Sequence, residues 1–182
     1  MLLDAWKALA KKGEAPDDAV LLKAYVVEIT AAAGDTRTID FTISTGSVDR
    51  DRDVIEPEGW KLTAFKRNNV VMWAHDYSLP PIARATHIRV EDNKLKAPAD
   101  FVPAEILPFA ETVYQLLKGG FLHAASVGFR PLKHVFNSDR GGVDFQEQEL
   151  LEFSIVPVPA NAEALMDAKA AGINMGPLLA WA

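Results

Sequence analysis

The first candidate for chemistry is Ser126, which lies in the stretch 119–130, where a helical pattern gives way to a strand pattern. A strand here would bury Ala125, Val127 and Phe129 and turn Ser126 and Gly128 to the other face. The missing side chain of Gly128 would leave room for a substrate carbonyl to reach the hydroxyl. The plain alternative is a small-residue strand packed against a neighbour, which a Ser-x-Gly motif alone does not exclude.

A serine hydroxyl attacks a carbonyl only when a base removes its proton, and the chain has four histidines that could do so. His75 ends the apolar run 70–75, where an imidazole can be packed on one side and reach substrate on the other. His87, His123 and His134 are more readily explained as surface or edge histidines. A competing hypothesis is a metal-dependent hydrolase that uses His75, Asp76 and His87, but this spacing lacks the short repeat typical of zinc sites. The sequence therefore predicts no metal and no other cofactor.

The composition excludes several classes of protein. With 182 residues, 49% of them hydrophobic, the chain can form one domain with a full core. The lack of cysteine rules out disulfides, thiolate metal sites and a cysteine nucleophile, and it is compatible with a reducing cytoplasm. A net charge of −6 argues against a nucleic-acid partner. No stretch reaches the length of a membrane span, and the N-terminus does not read as a signal peptide, so we expect a soluble protein without a membrane partner.

Two further stretches have a functional and a structural interpretation. Residues 2–12 predict a short amphipathic helix, which could dock on a partner or pack on its own domain, and the second is favoured. The charged loop 49–53 (DRDRD) could hold a divalent cation, but its interleaved arginines favour self-paired, solvated charge.

Hairpins dominate the predicted secondary structure. Strands are expected in 22–30, 36–45, 70–75, 82–90, 94–102, 125–136 and 143–156, and helices in 60–67, in the segment ending at 118 and in 160–170. This pattern predicts an α+β, mainly β protein: a closed antiparallel barrel of about seven strands flanked by helices, because closure removes exposed edges. We expect a helix and linker in 1–18, the barrel domain in 19–165, and a helix end and tail in 166–182.

Three phrases, in this order and spacing, resemble the tailed-phage prohead maturation proteases. They are 69–76 (NVVMWAHD), 117–120 (LKGG) followed by 125–129 (ASVGF), and 151–164 (LEFSIVPVPANAEA). The resemblance covers roughly 22–165. The chain departs from the family at Arg52-Asp53 and Gly59-Trp60, where a Gly-Asp pair and a Gly-x-Phe turn are usual. These departures concern the geometry of a loop and leave the catalytic pair intact.

The resemblance implies a serine endopeptidase with His75 as base, Ser126 as nucleophile and Glu152 as the third member. Backbone N–H groups of Val127, Gly128 and Phe129 would then form the oxyanion hole. The family is similar in fold to the herpesvirus assemblins, which implies a homodimer.

The implied role is to cleave scaffold protein, or the scaffolding segment of the capsid protein, and the protease itself. This would take place inside the assembling prohead in the host cytoplasm, or in a bacterium that carries the gene in a prophage. The alternative is a catalytically silent barrel that acts as a capsid-assembly or scaffold-binding module.

The acidic member of the site is open among four carboxylates on one incoming strand, namely Asp144, Glu147, Glu149 and Glu152. Glu152 is favoured because it lies inside an apolar run, where a buried carboxylate needs a partner. Such a partner could be a protonated His75, or an arginine such as Arg84 or Arg130 in a purely structural pair.

Overall fold

The computed structural model describes residues 2–26, 29–31 and 37–157, and two helices and twelve strands lie in this part of the chain. In chain order the elements are α1 (Leu3–Ala10), β1 (Leu21–Val26), β2 (Ile29–Ala31), β3 (Thr38–Thr45), β4 (Val54–Ile55), β5 (Trp60–Lys61), β6 (Val70–Trp73), β7 (Ala83–Ala85), β8 (Arg89–Glu91), β9 (Lys94–Lys96), β10 (Ala99–Phe101), α2 (Pro108–Lys118), β11 (Ala124–Asn137) and β12 (Gly142–Val156). Short 3₁₀ turns occupy Pro57–Gly59 and Phe65–Arg67. The protein is therefore mainly β, in the α+β class.

One long hairpin, β11–β12, pairs with β1 on one side and with β4, β5 and β6 on the other. The strand order is β1-β11-β12-β6-β7-β10-β3-β9-β8, with β2 beside β3 and with β4 and β5 beside β12. The pairings of β12 with β4, β5 and β6 are parallel, so the sheet is mixed. The expectation of an antiparallel sheet is therefore wrong on this side of β12. Closure into a barrel is not confirmed, because in the described part of the chain β1 and β8 stand at opposite ends of the strand order.

Phenylalanines of several strands fill the core beneath this hairpin. Phe129 and Phe145 meet edge to face at 5.3 Å between ring centroids, and Phe153 contacts both Phe41 and Phe65. Rings at these separations gain an electrostatic contribution beyond the burial of their area.

Helix α1 packs on this core through Trp6, which is fully buried. The Trp6 ring lies 4.6 Å from the ring of His134 and 5.6 Å from that of Phe145. The apolar face of α1 therefore packs on its own domain, which confirms the favoured interpretation.

The charged loop 49–53 is only partly solvated, which corrects the expectation. The Lys23 ammonium is buried between three carboxylates, at 2.5 Å from Asp49, 3.1 Å from Asp51 and 2.7 Å from Asp53. Asp53 is fully buried and also binds Lys7 at 2.8 Å. The three carboxylates could surround a metal ion, but the lysine ammonium already supplies the positive charge. The loop thus ties α1 to β1.

Several predicted elements differ in detail. The predicted helix 60–67 is instead β5 followed by a 3₁₀ turn. Of the predicted strand 22–30, β1 pairs with β11, whereas β2 pairs with β3 in the antiparallel sense. The predicted helix 160–170 lies outside the described residues. Within the described ranges, no helix has the length and apolar character needed to cross a membrane.

Candidate active site

The path of the chain from the end of α2 determines where the strand that carries Ser126 begins. The backbone of Gly119 stays helical with φ −77°, and Gly120 takes the positive φ of 71° that favours glycine. Leu122 then packs into the core, and β11 begins at Ala124. Ser126 lies in the third position of that strand, 3% exposed, between Ala24 of β1 and Ser154 of β12.

Ser126 shares one face of the sheet with Gly128, Ser154 and Glu152. Ser126 pairs with Ser154 and Gly128 with Glu152, and side chains of directly opposed residues in antiparallel strands lie on the same side. A Cβ atom added to Gly128 would lie 2.4 Å from Oε1 of Glu152. The space that we expected Gly128 to leave for a substrate carbonyl is therefore filled, at least in part, by the Glu152 carboxylate.

A β-bulge beside this pair changes which residues of β12 face the core. The register shifts after Gly128–Glu152, so that Phe129 pairs with Leu150. Leu150 is fully buried, whereas Leu151 is partly exposed. A bulge of this kind re-aims side chains locally. Simple alternation along β12 therefore does not give the relative orientation of Asp144 and Glu152.

His75 reaches this face from the end of β6. The strand ends at Trp73, and both Ala74 and His75 have left-handed backbones with φ of 50° and 58°. The Ala74 N–H donates to the Ile155 carbonyl at 2.9 Å, which ties the turn to β12. The imidazole lies against Glu152, with 2.6 Å between Nδ1 and Oε1. That distance is typical of a short, charge-assisted hydrogen bond.

A hydroxyl group holds the Glu152 carboxylate from another direction. The Ser154 hydroxyl donates to Oε2 at 2.9 Å and accepts the backbone N–H of His75 at 3.1 Å. Tyr77 is close enough to respond to the same carboxylate, since partial burial and the negative charge of Glu152 raise the pKa of its phenol. Neither contact was predicted. The only available signals were the shared strand parity of Ser154 and Glu152 and the closeness of Tyr77 to His75 in sequence.

The three other candidate carboxylates bind basic groups elsewhere. Asp144 contacts Arg140, Glu147 lies 3.1 Å from Lys61, and Glu149 lies 3.3 Å from Arg130. The two arginines considered as structural partners of Glu152 bind other acids. Arg130 is paired with Glu149, as just described, and Arg84 is paired with Asp100 at 2.9 Å.

The other histidines lie away from this face or are packed. His87 and His123 are exposed, and His134 packs on Trp6, where burial lowers its pKa. Asp76 binds the backbone and hydroxyl of Ser78 within its own loop. His75, Asp76 and His87 do not form a ligand cluster, since the one acidic or histidine cluster found among the described residues is that around Lys23.

The predicted oxyanion donors Val127, Gly128 and Phe129 lie in the middle of β11, with β1 on one side and β12 on the other. The register shift between Gly128 and Phe129 interrupts the pairing with β12 at this point. Their role as oxyanion donors stays a prediction.

Similarity to known proteins extends over most of the chain. Over 147 residues it is 29% identical to the capsid polyprotein of Pseudomonas phage PAJU2, covering 78% of this chain and 21% of that protein. Over 133 residues it is 29% identical to the prohead protease of Escherichia phage T5, covering 66% of this chain and 57% of that protein. The chain thus spans about a fifth of the first relative and a little over half of the second.

The fold has a counterpart in the capsid assembly protease of bacteriophage T4, with a TM-score of 0.55 at 11% identity. The match covers 77% of this chain and 98% of the T4 chain, and at this identity it bears on the fold alone. The sequence model of the caudovirus prohead serine protease family matches residues 27–176. The chain therefore belongs to the caudovirus prohead serine protease family.

Proposed function

We propose that the protein is a serine endopeptidase that cleaves scaffold protein or the scaffolding segment of the capsid protein, and itself, during prohead maturation. The observation that carries the proposal is the 2.6 Å contact between His75 and Glu152 on the sheet face that also bears Ser126. Family membership and the names of the T5 and PAJU2 relatives support the kind of substrate.

In this proposal His75 is the base. With Nδ1 engaged by Glu152, the Nε2 atom is left to take the proton of Ser126 as the hydroxyl attacks a peptide carbonyl. The imidazolium that forms would then return a proton to the leaving amine, and water would release the acyl group by the same route.

Glu152 would fix the ring orientation and stabilise the imidazolium. The carboxylate is 4% exposed, and in such a site a charge interacts more strongly with its neighbour than in water. The backbone N–H groups of 127–129 remain our candidates for the oxyanion hole, and the interrupted pairing at Gly128 and Phe129 supports this choice.

The resemblance to assemblins leads us to propose a closed barrel, a homodimer and a place inside the assembling prohead in the host cytoplasm. The acidic composition, with a net charge of −6, supports a protein substrate over nucleic acid.

The test is co-expression with the cognate capsid and scaffold proteins, followed by mass mapping of new termini. Wild-type protein should generate defined new termini and react with a fluorophosphonate at Ser126, whereas Ser126→Ala should do neither. Ser138→Ala, in an exposed turn, is the matched control and should behave as wild type.

Cleavage should persist in the presence of a chelator. Failure of the wild-type protein both to cleave and to be labelled would favour the silent assembly module. Wild-type-like processing by Ser126→Ala would exclude this serine as the nucleophile.

A further inference from the structure

The second serine of the site, Ser154, is fully buried and lies directly opposite Ser126. Its hydroxyl makes two contacts at once: it donates its single proton to Oε2 of Glu152 and accepts the backbone N–H of His75. A hydroxyl has one donor, so this proton is fully used by the carboxylate. No other side chain among the described residues is recorded in contact with both the His75 backbone and the Glu152 carboxylate.

The His75 backbone needs such support. Ala74 and His75 are consecutive non-glycine residues with left-handed backbones, a conformation that is unfavourable for L-amino acids and persists only where the surroundings impose it. The hydrogen bond from Ala74 to Ile155 holds one of the two residues, and the bond from the His75 N–H to Ser154 holds the other. Strand β12 thus fixes both residues of the turn.

The two contacts of Ser154 therefore join the backbone of the base to the acid that orients its ring. The Glu152 carboxylate is held through Oε1 by the imidazole and through Oε2 by the hydroxyl. With both oxygens engaged, the carboxylate cannot rotate without losing a hydrogen bond.

We propose that Ser154 is a positioning residue, which keeps the His75 ring and the Glu152 carboxylate in the geometry needed to activate Ser126. This inference rests on the proposed function. Full burial keeps Ser154 from a peptide substrate, so it acts only through its two partners.

The experiment compares wild type, Ser154→Ala, Ser154→Cys and the control Ser44→Ala in the full chain, on a peptide that spans a mapped cleavage site. Ser44 is also a buried strand serine, in β3, so the control removes a hydroxyl that is equally shielded from solvent. Losing one hydrogen bond to a charged group predicts a kcat lower by roughly tenfold to a hundredfold in Ser154→Ala, with KM within about twofold of wild type.

Ser154→Cys keeps a side chain of similar size, but the thiol forms weaker hydrogen bonds, so we expect an intermediate kcat. This variant replaces Ser154→Ala as the test if Ser154→Ala does not fold. Ser44→Ala should keep both constants.

A second readout separates positioning from a merely structural role. The proton between His75 Nδ1 and Glu152 should give a downfield proton NMR resonance, assigned by its loss in His75→Gln. It should shift or broaden in Ser154→Ala and Ser154→Cys and stay unchanged in Ser44→Ala.

A kcat within threefold of wild type, or an unaltered resonance, in a folded Ser154 variant would overturn the positioning role. That outcome leaves the proposed function standing if wild type cleaves and Ser126→Ala does not. A wild-type protein that cleaves nothing would remove the proposed function, while the resonance would still report on Ser154.

Discussion

Replacing Gly128 by alanine should disable the site without changing any side chain that performs chemistry. The added Cβ would lie 2.4 Å from Oε1 of Glu152 and 3.2 Å from its Cδ, whereas ordinary contacts begin at 3.4 Å. The carboxylate must therefore retreat by about 1 Å, and Oε1 is the oxygen that binds His75 at 2.6 Å. A retreat of that size along the contact would lengthen it to about 3.6 Å, which is no longer a hydrogen bond.

The expected magnitude follows from two limits. A lost hydrogen bond to a charged group is worth about 1.5–3 kcal/mol, which is at least tenfold in rate, whereas a neutralised orienting carboxylate costs about 10,000-fold in a serine protease. A displaced but still charged Glu152 lies between these limits. We therefore expect Gly128→Ala to lower kcat on the order of 100-fold.

Peptide cleavage by purified variants, with circular dichroism to confirm the fold, is the assay. Gly46→Ala is the matched control, since its Cβ would lie 2.5 Å from the Asn93 side chain in a surface turn. If Gly128→Ala acts by displacing the carboxylate, it should have little further effect in a Glu152→Ala background. A folded Gly128→Ala variant with near wild-type kcat, or with an equal loss in both backgrounds, would refute this reasoning.

Three further predictions concern the acid, the buried charge cluster and α1. Glu152→Gln should keep the fold and lower kcat by about 100-fold to 10,000-fold, whereas Glu149→Gln should cleave normally; the reverse result would move the acid to another carboxylate. Lys23→Met should lower the free energy of unfolding by about 3–5 kcal/mol in urea titrations, because it removes the buried ammonium from between the Asp49 and Asp53 carboxylates. Although burial acts to lower the pKa of Lys23, Asp49 and Asp53 raise it above its ordinary value, so this contribution should be constant from pH 7 to about 10 and decline only at higher pH; a decline already at pH 8 would contradict it. Trp6→Ala should cost about 3–5 kcal/mol by the same titration, and an unchanged midpoint would mean that α1 adds nothing to the domain.

The sequence was enough to predict the strand setting of Ser126 and the burial of Glu152, but not the geometry around them. Strand alternation around Ser126 and the apolar setting of Glu152 both hold in the structure, because they depend only on local periodicity and on the cost of burying a charge. The space beside Gly128 was predicted to admit a substrate carbonyl, but the Glu152 side chain lies there. The sequence does not show which side chain of the neighbouring strand fills that space.

Two other features that the sequence did not reveal have the same origin in long-range pairing. The bulge that exposes Leu151 and the parallel pairing of β6 with β12 depend on register between distant segments. The burial of Lys23 could not be predicted either, because a lysine in a strand normally points to water. It is buried because three carboxylates contact it from a loop 26–30 residues away in sequence.

On the proposed mechanism, the late position of β12 in the chain also decides when during synthesis the protein can first become active. Glu152 follows His75 by 77 residues, and β12 provides both the acid and the bonds that hold the 74–75 turn. Chains emerge N-terminus first at roughly 5–20 residues per second, so a nascent chain carries His75 and Ser126 for seconds before the strand that joins them exists. On the proposed mechanism, the chain cannot cut itself, or a neighbouring nascent chain on the same messenger, until β12 has been made and paired.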